Sequence, residues 1–429
     1  MKPPLLYDIT RLVTRIFART PNGIDRVDYA FASHALTQGP RGVALMATPW
    51  GPRVIPALAA RDALANIRKH WGEDGNAERD DHFHAIVAAL DDPAAPAPRV
   101  SASRRGQYAD ALAWMGKYGV PLREAPGRFL AGGGIYLNVS QFPLGVDAAF
   151  RWLDRADTAR AVFFIHDLLP LETPEFFRPA ERPRHLRRLK TLARYGAGAI
   201  VSTGLARESL RARLRTMGRA DMPVLVAPLP VDAGFASPCA IGAAVSRHPY
   251  FVSVGTIEPR KNHLTLLHVW RELMEAYGAG APKLLFIGER GWENEQVMDL
   301  IERCPALKGH VILASGLATP VVRRLIAGAR ALLAPSFQEG YGLPVAEGLA
   351  AGVAVIASDI PVFREIAGGR ATLVDPIDGP GWKSALLSAW RDGPPPPAAR
   401  SGACGVSSEE IFARVEDFLD RIARGSGPA

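Results

Sequence analysis

Cysteine is scarce. The 429 residues hold three, Cys239, Cys304 and Cys404, too far apart to form a metal-ligand pair and too few for a disulfide framework, so they read as buried or neutral thiols. No apolar run approaches the roughly 20 residues that cross a bilayer. The opening MKPPLLYDITRLVTR lacks the basic-then-apolar order of a secretory leader, so a cytoplasmic protein is expected. No repeat of fixed period stands out, and no basic motif is interleaved with aromatics as nucleic-acid readers require, so nucleic acid is set aside as a partner. What remains is globular material, 48% hydrophobic and 22% charged, long enough for two or three domains.

The net charge of +8 is unevenly placed. Between Arg151 and Arg219 stand fifteen basic residues against seven acidic ones, an imbalance as large as the whole excess. Within that region Leu186, Leu189 and Leu192 recur at helical spacing, while Arg184, Arg187, Arg188, Lys190 and Arg194 cover the rest. Such a helix is either a solvated arginine-rich helix seated on its leucines or one that lies on an anionic membrane surface.

Short β-rich apolar runs alternate with helical segments, the pattern of parallel sheets covered by crossover helices. The first half carries runs at Leu5–Ile9, Val43–Ala47, Ile135–Val139, Ala161–Ile165, Ala199–Ser202 and Val224–Ala227. The second carries Phe251–Gly255, Lys283–Ile287, His310–Leu313, Ala331–Ala334, Val353–Ala357 and Ala371–Val374. Two Rossmann-like domains follow, 1–235 and 236–405, with Pro228 to Pro249 as the connection and an Ala- and charge-rich helical insertion at about 61–128. A proline break at Gly393–Pro397 precedes Ser407 and Glu410, a capping box that opens an amphipathic helix in 406–429, expected to pack back across the domains.

The most informative segment is Phe337-Gln338-Glu339-Gly340-Tyr341-Gly342-Leu343-Pro344-Val345-Ala346-Glu347-Gly348, directly after a buried run. A strand that ends in a glycine-rich turn and opens a helix offers free backbone N–H groups and the positive end of a helix dipole to an anion. Glu339 and Glu347, eight residues apart, are each able to accept hydrogen bonds from sugar hydroxyls. A second strand ends in Val254-Gly255-Thr256-Ile257-Glu258-Pro259-Arg260-Lys261-Asn262-His263. An adjacent Arg and Lys at a strand's carboxyl end suit a diphosphate, since Arg forks two oxygens and Lys adds a point charge. Taken singly, these features also fit an ordinary tight turn, a surface acid and a solvated basic loop.

Together, Glu-Gly-Tyr-Gly-Leu-Pro-x-x-Glu and the following Gly-x-Ala-x-Gly-x-x-Val-Ile-Ala-Ser resemble the Glu-x7-Glu signature of family 4 glycosyltransferases, and the resemblance spans both halves. It implies the α/β GT-B fold, two Rossmann-like domains with parallel sheets facing across a cleft, donor held mainly by the second and acceptor by the first. It also implies a retaining, metal-independent transfer of a hexose from a nucleotide-sugar donor to a glycan or lipid-linked acceptor, with no cofactor. Such transfer serves cell-surface polysaccharide synthesis in bacterial members, and mannose is the sugar expected.

Carried over residue by residue, Glu339 binds donor hydroxyls, the stretch Gly340, Tyr341, Gly342 and Leu343 supplies backbone contacts, and Glu347 binds the ribose. Gly255 lies in the loop where Arg260 and Lys261 neutralise the leaving diphosphate. His166, in Phe163-Phe164-Ile165-His166-Asp167, matches a His-Asp step that positions the donor sugar or the reacting hydroxyl; otherwise it is a structural pair. Gly23, in Thr20-Pro21-Asn22-Gly23-Ile24-Asp25-Arg26, matches a glycine-bearing loop whose second small residue is Asp25 here, so that Asp25 is a candidate to bind a hydroxyl. No Asp-x-Asp of metal-dependent sugar transferases is present, and Asp80-Asp81-His82-Phe83-His84 lacks further ligands. The partners expected are the donor, the acceptor and an anionic membrane surface met through Arg184, Arg187, Arg188 and Lys190, at the inner face of the cell membrane. The rival readings are a GT-B epimerase or phosphorylase-type enzyme and a non-catalytic nucleotide-sugar binding protein.

Overall fold

The computed structural model describes residues 2–16, 20–38, 41–95, 107–127, 129–130, 132–156, 158–236, 245–392 and 406–425. Cys239, Cys404, the Gly393–Pro397 break and part of the expected connection and insertion lie outside the described residues.

The chain divides into two compact units, one of Met1–Trp71, Arg104–Pro230 and Val406–Ala429, the other of Gly72–Ser103 and Val231–Gly405. The stretch about 61–128 is therefore shared between the units and does not form one insertion. Helix Asp81–Asp91 belongs to the second unit, where Phe83, Ile86 and Leu90 join the core around Val252, Leu285 and Ile312. Its start is fixed by Asp80, whose carboxylate accepts from the amides of His82 and Phe83. That carboxylate and the two histidines serve local structure, for His84 Nε2 bonds the Glu78 carbonyl.

The first unit is built on a seven-stranded sheet of β1 Leu5–Asp8, β2 Gly42–Met46, β3 Arg53–Ile55, β4 Gly134–Asn138, β5 Ala159–Ile165, β6 Gly196–Val201 and β7 Val224–Val226. The spatial order is β3-β2-β1-β4-β5-β6-β7, parallel except where β3 closes the edge antiparallel to β2. Central strands β4 and β5 have fully apolar stretches buried on both faces, as parallel sheets covered by helices require. The second sheet comprises β8 Tyr250–Val254, β9 Lys283–Ile287, β10 Val311–Ala314, β11 Ala331–Ala334, β12 Ala354–Ser358 and β13 Thr372–Val374, all parallel in the order β10-β9-β8-β11-β12-β13. Chain order reverses between β8 and β11, which makes the carboxyl edge there a switch point where ligands settle.

Helix Ser408–Ala423 begins at the Ser407–Glu410 capping box and packs on the first unit's sheet. Phe412 meets Phe31 edge-on at 5.2 Å, and the Phe418 and Ile422 side chains lie where a Cβ on Gly198 would stand, about 3.0 Å from each. Arg41, nearly buried, bridges to Glu416 at 2.7 Å and to Asp420. The helix is thus held by apolar packing on one face and by ion pairs along its edge.

Candidate functional site

In the second unit, β8 and β11 are neighbours, with Leu332 paired to Val252, so the loops that follow them emerge at the same edge. After β8 the chain passes Gly255, makes a short turn over Pro259–Lys261, and reverses through Asn262 at φ 55° before helix His263–Tyr277. After β11 it runs to Gly342 at φ 94°, where helix Leu343–Ala350 opens. The two loops are tied together. Phe337 N donates to the Arg260 carbonyl at 2.8 Å, and Asn262 Nδ2 donates to the carbonyls of Pro335 and Pro376 at 3.0 and 2.9 Å.

Glu339 sits at the centre of this junction. Arg260 Nη1 donates to its Oε2 at 2.6 Å, while Lys261 Nζ at 2.5 Å and Ser336 Oγ at 2.8 Å donate to its Oε1. Burial alone would raise its pKa, but the charges of Arg260 and then Lys261 outweigh that and hold the carboxyl down at about 2. Arg260 also pairs through Nε with buried Glu258 at 2.5 Å, and burial pushes the Glu258 carboxyl up. Two cations and two carboxylates therefore interlock at the sheet edge, and both oxygens of Glu339 are engaged by protein donors.

Around this group the backbone packs too closely for side chains at two glycines. Gly255 at φ 150° lies beneath the Lys261 side chain, whose Cε and Nζ would stand 3.1 Å from an added Cβ. A Cβ on Gly342 would stand 2.5 Å from Phe363 Cε1, so only glycine fits the turn. Lys261, His263, Ser336, Glu339, Gly342 and Phe363 line one pocket. His263 is buried edge-on against Phe286, and burial followed by the Lys261 charge drops its pKa to about 3, so it is neutral. Gly340, Tyr341 and Leu343 stand in or next to the turn at this pocket, and Glu347 is buried one turn into the helix.

The remaining expected site residues, His166 and Gly23, lie in the first unit. His166 follows β5 and bonds the Val139 carbonyl through Nε2 at 2.8 Å. A carbonyl only accepts, so Nε2 carries the hydrogen and Nδ1 holds the lone pair. Burial lowers its pKa to about 4, which leaves a neutral imidazole at physiological pH. Gly23 opens helix Gly23–Ser33 behind the Asn22 cap. Asp25 is not a free hydroxyl binder: its carboxylate accepts from the Asn22 amide and pairs with Arg11 at 2.8 Å and Arg15 at 3.0 Å.

The arginine-rich helix, Glu181–Tyr195, also departs from the expected face. Arg187 and Lys190 are exposed, and Arg184 is exposed and paired with Glu181 at 3.2 Å. Arg188 is half-buried and donates through Nη1 to Gln141 Oε1 at 3.2 Å and His185 Nε2 at 3.0 Å. It leaves the exposed face because it stands three residues beyond buried His185 and four before buried Leu192, at the edge of the helix's buried stripe.

Comparison with known proteins decides the fold. Anabaena HepE, in a structure with UDP-glucose, superposes over 99% of this chain and 100% of its own with a TM-score of 0.60 at 13% identity. The fold is GT-B. The pneumococcal O-GlcNAc transferase GtfA, solved with UDP and GlcNAc, superposes over 69% of this chain and 59% of its own, with a TM-score of 0.53 at 13% identity. Residues 248–392, which hold the ionic junction, match the family model described as Glycosyl transferases group 1. Over 227 residues, half of this chain, the sequence is 31% identical to a serotype-specific mannosyltransferase, WbdA, of Escherichia coli. That match spans 28% of the relative's length, and a match to O-antigen chain mannosyltransferase B of the same organism, 32% identical, spans 33% of this chain and 37% of the other.

Glu258, Ser336 and His263 were not singled out from the sequence. Glu258 alone had a signal, a carboxylate two residues before a cation pair, whereas the contacts of the other two arise only in the folded edge. Among the described residues no group of three His, Cys, Asp or Glu gathers to hold a metal, and no helix is long and apolar enough to cross a membrane.

Proposed function

We propose that this chain is a retaining family 4 glycosyltransferase that moves a hexose, mannose first among them, from a nucleoside diphosphate to a glycan or lipid-linked acceptor in surface polysaccharide assembly. The observation that carries the proposal is the buried Arg260–Glu339–Lys261 junction beside the helix N-terminus at Gly342. Two cations and a set of backbone amides at the switch point of a parallel sheet suit a diphosphate. The likeness to mannosyltransferases over half of the chain supports the sugar, and HepE holding UDP-glucose supports a nucleotide sugar.

In this reading Arg260 and Lys261 stabilise the charge that develops on the departing diphosphate. Glu339, with both oxygens taken, aims the two cations and reaches donor hydroxyls as they turn to phosphate, while Glu347 holds the ribose. The bond between the anomeric carbon and the diphosphate oxygen breaks as the acceptor oxygen bonds the same face, and the acceptor proton passes to the leaving phosphate. Neutral His166 accepts a hydroxyl hydrogen at Nδ1, and Gly23, at the Asn22-capped helix start, lends its backbone to donor binding. No metal ion is assigned, because the cations fill that role. Arg187 and Lys190, exposed on one helix, support attachment to an anionic membrane surface.

The test is release of nucleoside diphosphate from GDP-, UDP- and ADP-linked sugars with acceptor glycans, with and without chelator, and the anomeric configuration of the product by NMR. One donor turned over with chelator present and configuration retained is expected. Inverted product would remove the retaining assignment, and turnover unchanged in Lys261→Ala would remove the assigned role of the cations.

A further inference from the structure

At the carboxyl edge of the first unit's sheet, the residues after β4 and β5 come together with helix Glu181–Tyr195. Arg188 has two neutral partners there, the Gln141 side-chain carbonyl and the His185 ring. The ring accepts at Nε2 because its Nδ1 donates to the Glu181 carbonyl at 3.0 Å, so it brings no negative charge. Among the described residues no carboxylate lies within ion-pairing distance of Arg188. A half-buried guanidinium held only by neutral acceptors is costly unless a counter-charge arrives.

A second observation points to the same place. Gln141 is 6% exposed, its Nε2 is buried without a hydrogen-bond partner, and its backbone stands at φ 59° without being glycine or asparagine. A buried unpartnered donor beside a guanidinium with no carboxylate in direct contact is a pair of donors set for an acceptor with negative charge. Left-handed backbone at a non-glycine residue is kept where the surroundings hold it for use. Arg184 lies alongside, since a Cβ on Gly145 would touch both its side chain and that of Arg188. Burial and then the Arg184 charge push the Arg188 pKa down, against the more distant carboxylates of Glu181 and Asp167, and the guanidinium stays protonated.

Next to these donors the same loop exposes two large apolar side chains, Phe142 at 42% and Val146 at 55%. Charge that seeks an anion, flanked by bare apolar surface, matches a phosphate that carries a hydrocarbon. We infer that Gln141 and Arg188, with Arg184 at the rim, form a phosphate subsite in the first unit, and that Phe142 and Val146 receive the apolar part of the phosphate-bearing molecule. The subsite deepens the transferase reading and rests on it in one respect: it assigns the acceptor a phosphate group.

The test is calorimetric titration of the full chain with inorganic phosphate and with dihexanoyl phosphatidic acid below its micelle concentration. Both are expected to bind, and Arg188→Gln is expected to weaken each at least tenfold, with Arg188→Lys between the two and the melting curves showing folded protein. Tighter binding of the lipid, lost in Phe142→Ser, identifies a lipid phosphate, whereas equal affinities identify a free phosphate as the source. Absence of binding, or affinity unchanged in both Arg188 variants, would overturn the subsite. Nucleotide-sugar titration of the same proteins separates the two proposals. Nucleotide bound without phosphate sinks the subsite alone, and phosphate bound without nucleotide sinks the transferase reading alone.

Discussion

Replacing Glu339 by glutamine keeps its shape and removes the charge that Arg260 and Lys261 share. A buried carboxyl held from its ordinary 4.5 down to about 2 gains about 3 kcal/mol of native stability, at about 1.4 kcal/mol per pKa unit. Its folded pKa is depressed, so that stabilisation is present above the unfolded value and is lost as pH falls toward 2. By pH 3, linkage removes about 2 of the ~3 kcal/mol. Glu339→Gln has no such group to protonate, so its deficit against the native protein is expected to shrink from about 3 kcal/mol near pH 7 to about 1 near pH 3. Amide hydrogen exchange over Ala331–Ala350, corrected for intrinsic rates, confines the reading to the strand and helix that flank Glu339. A deficit that stays constant between pH 7 and pH 3 would refute the claim that the two cations hold this carboxylate ionised.

Two further outcomes follow from the geometry. Gly342→Ala sets a Cβ against Phe363, itself buried, at φ 94°, and is expected to cost about 2 kcal/mol with a fall of several degrees in Tm, whereas Gly379→Ala, in open space, is expected to be neutral. His166 is expected to remain an Nε2-protonated neutral ring from pH 8 down to about 5, titrating near 4 in long-range nitrogen–proton NMR; its buried neutral form loses stability as pH falls from 6.5 toward that value, and a ring titrating near 6.5 would contradict the burial argument.

The twelve strands anticipated from apolar runs all occur, within three residues of the expected ends, because parallel strands buried on both faces must be continuously apolar. The strand that escaped, β3, is three residues long and begins with a half-exposed arginine, so it has neither the length nor the pattern of a buried strand. The helical character of about 61–128 was legible but not the destination of helix Asp81–Asp91, since an apolar face of Phe83, Ile86 and Leu90 does not say which sheet receives it. At the site, the glycine turn and the cation pair were legible as local motifs. Their joining was not: Glu339 lies 78 and 79 residues from the two cations, and only the adjacency of β8 and β11 brings them within 2.6 Å. The same limit separates Arg188 from Gln141, 47 residues apart, and made an inward arginine read as part of an exposed basic face.

The central claim is that the edge formed by Gly255, Arg260, Lys261, Glu339 and Gly342 holds a nucleoside diphosphate. Calorimetric titration of the full chain and of its Lys261→Ala variant with GDP- and UDP-linked sugars tests this most directly. The account predicts saturable binding of one nucleotide class, weakened at least tenfold in the variant while its melting curve stays cooperative. Binding of equal strength in both proteins, or no binding of any nucleotide sugar, would contradict it.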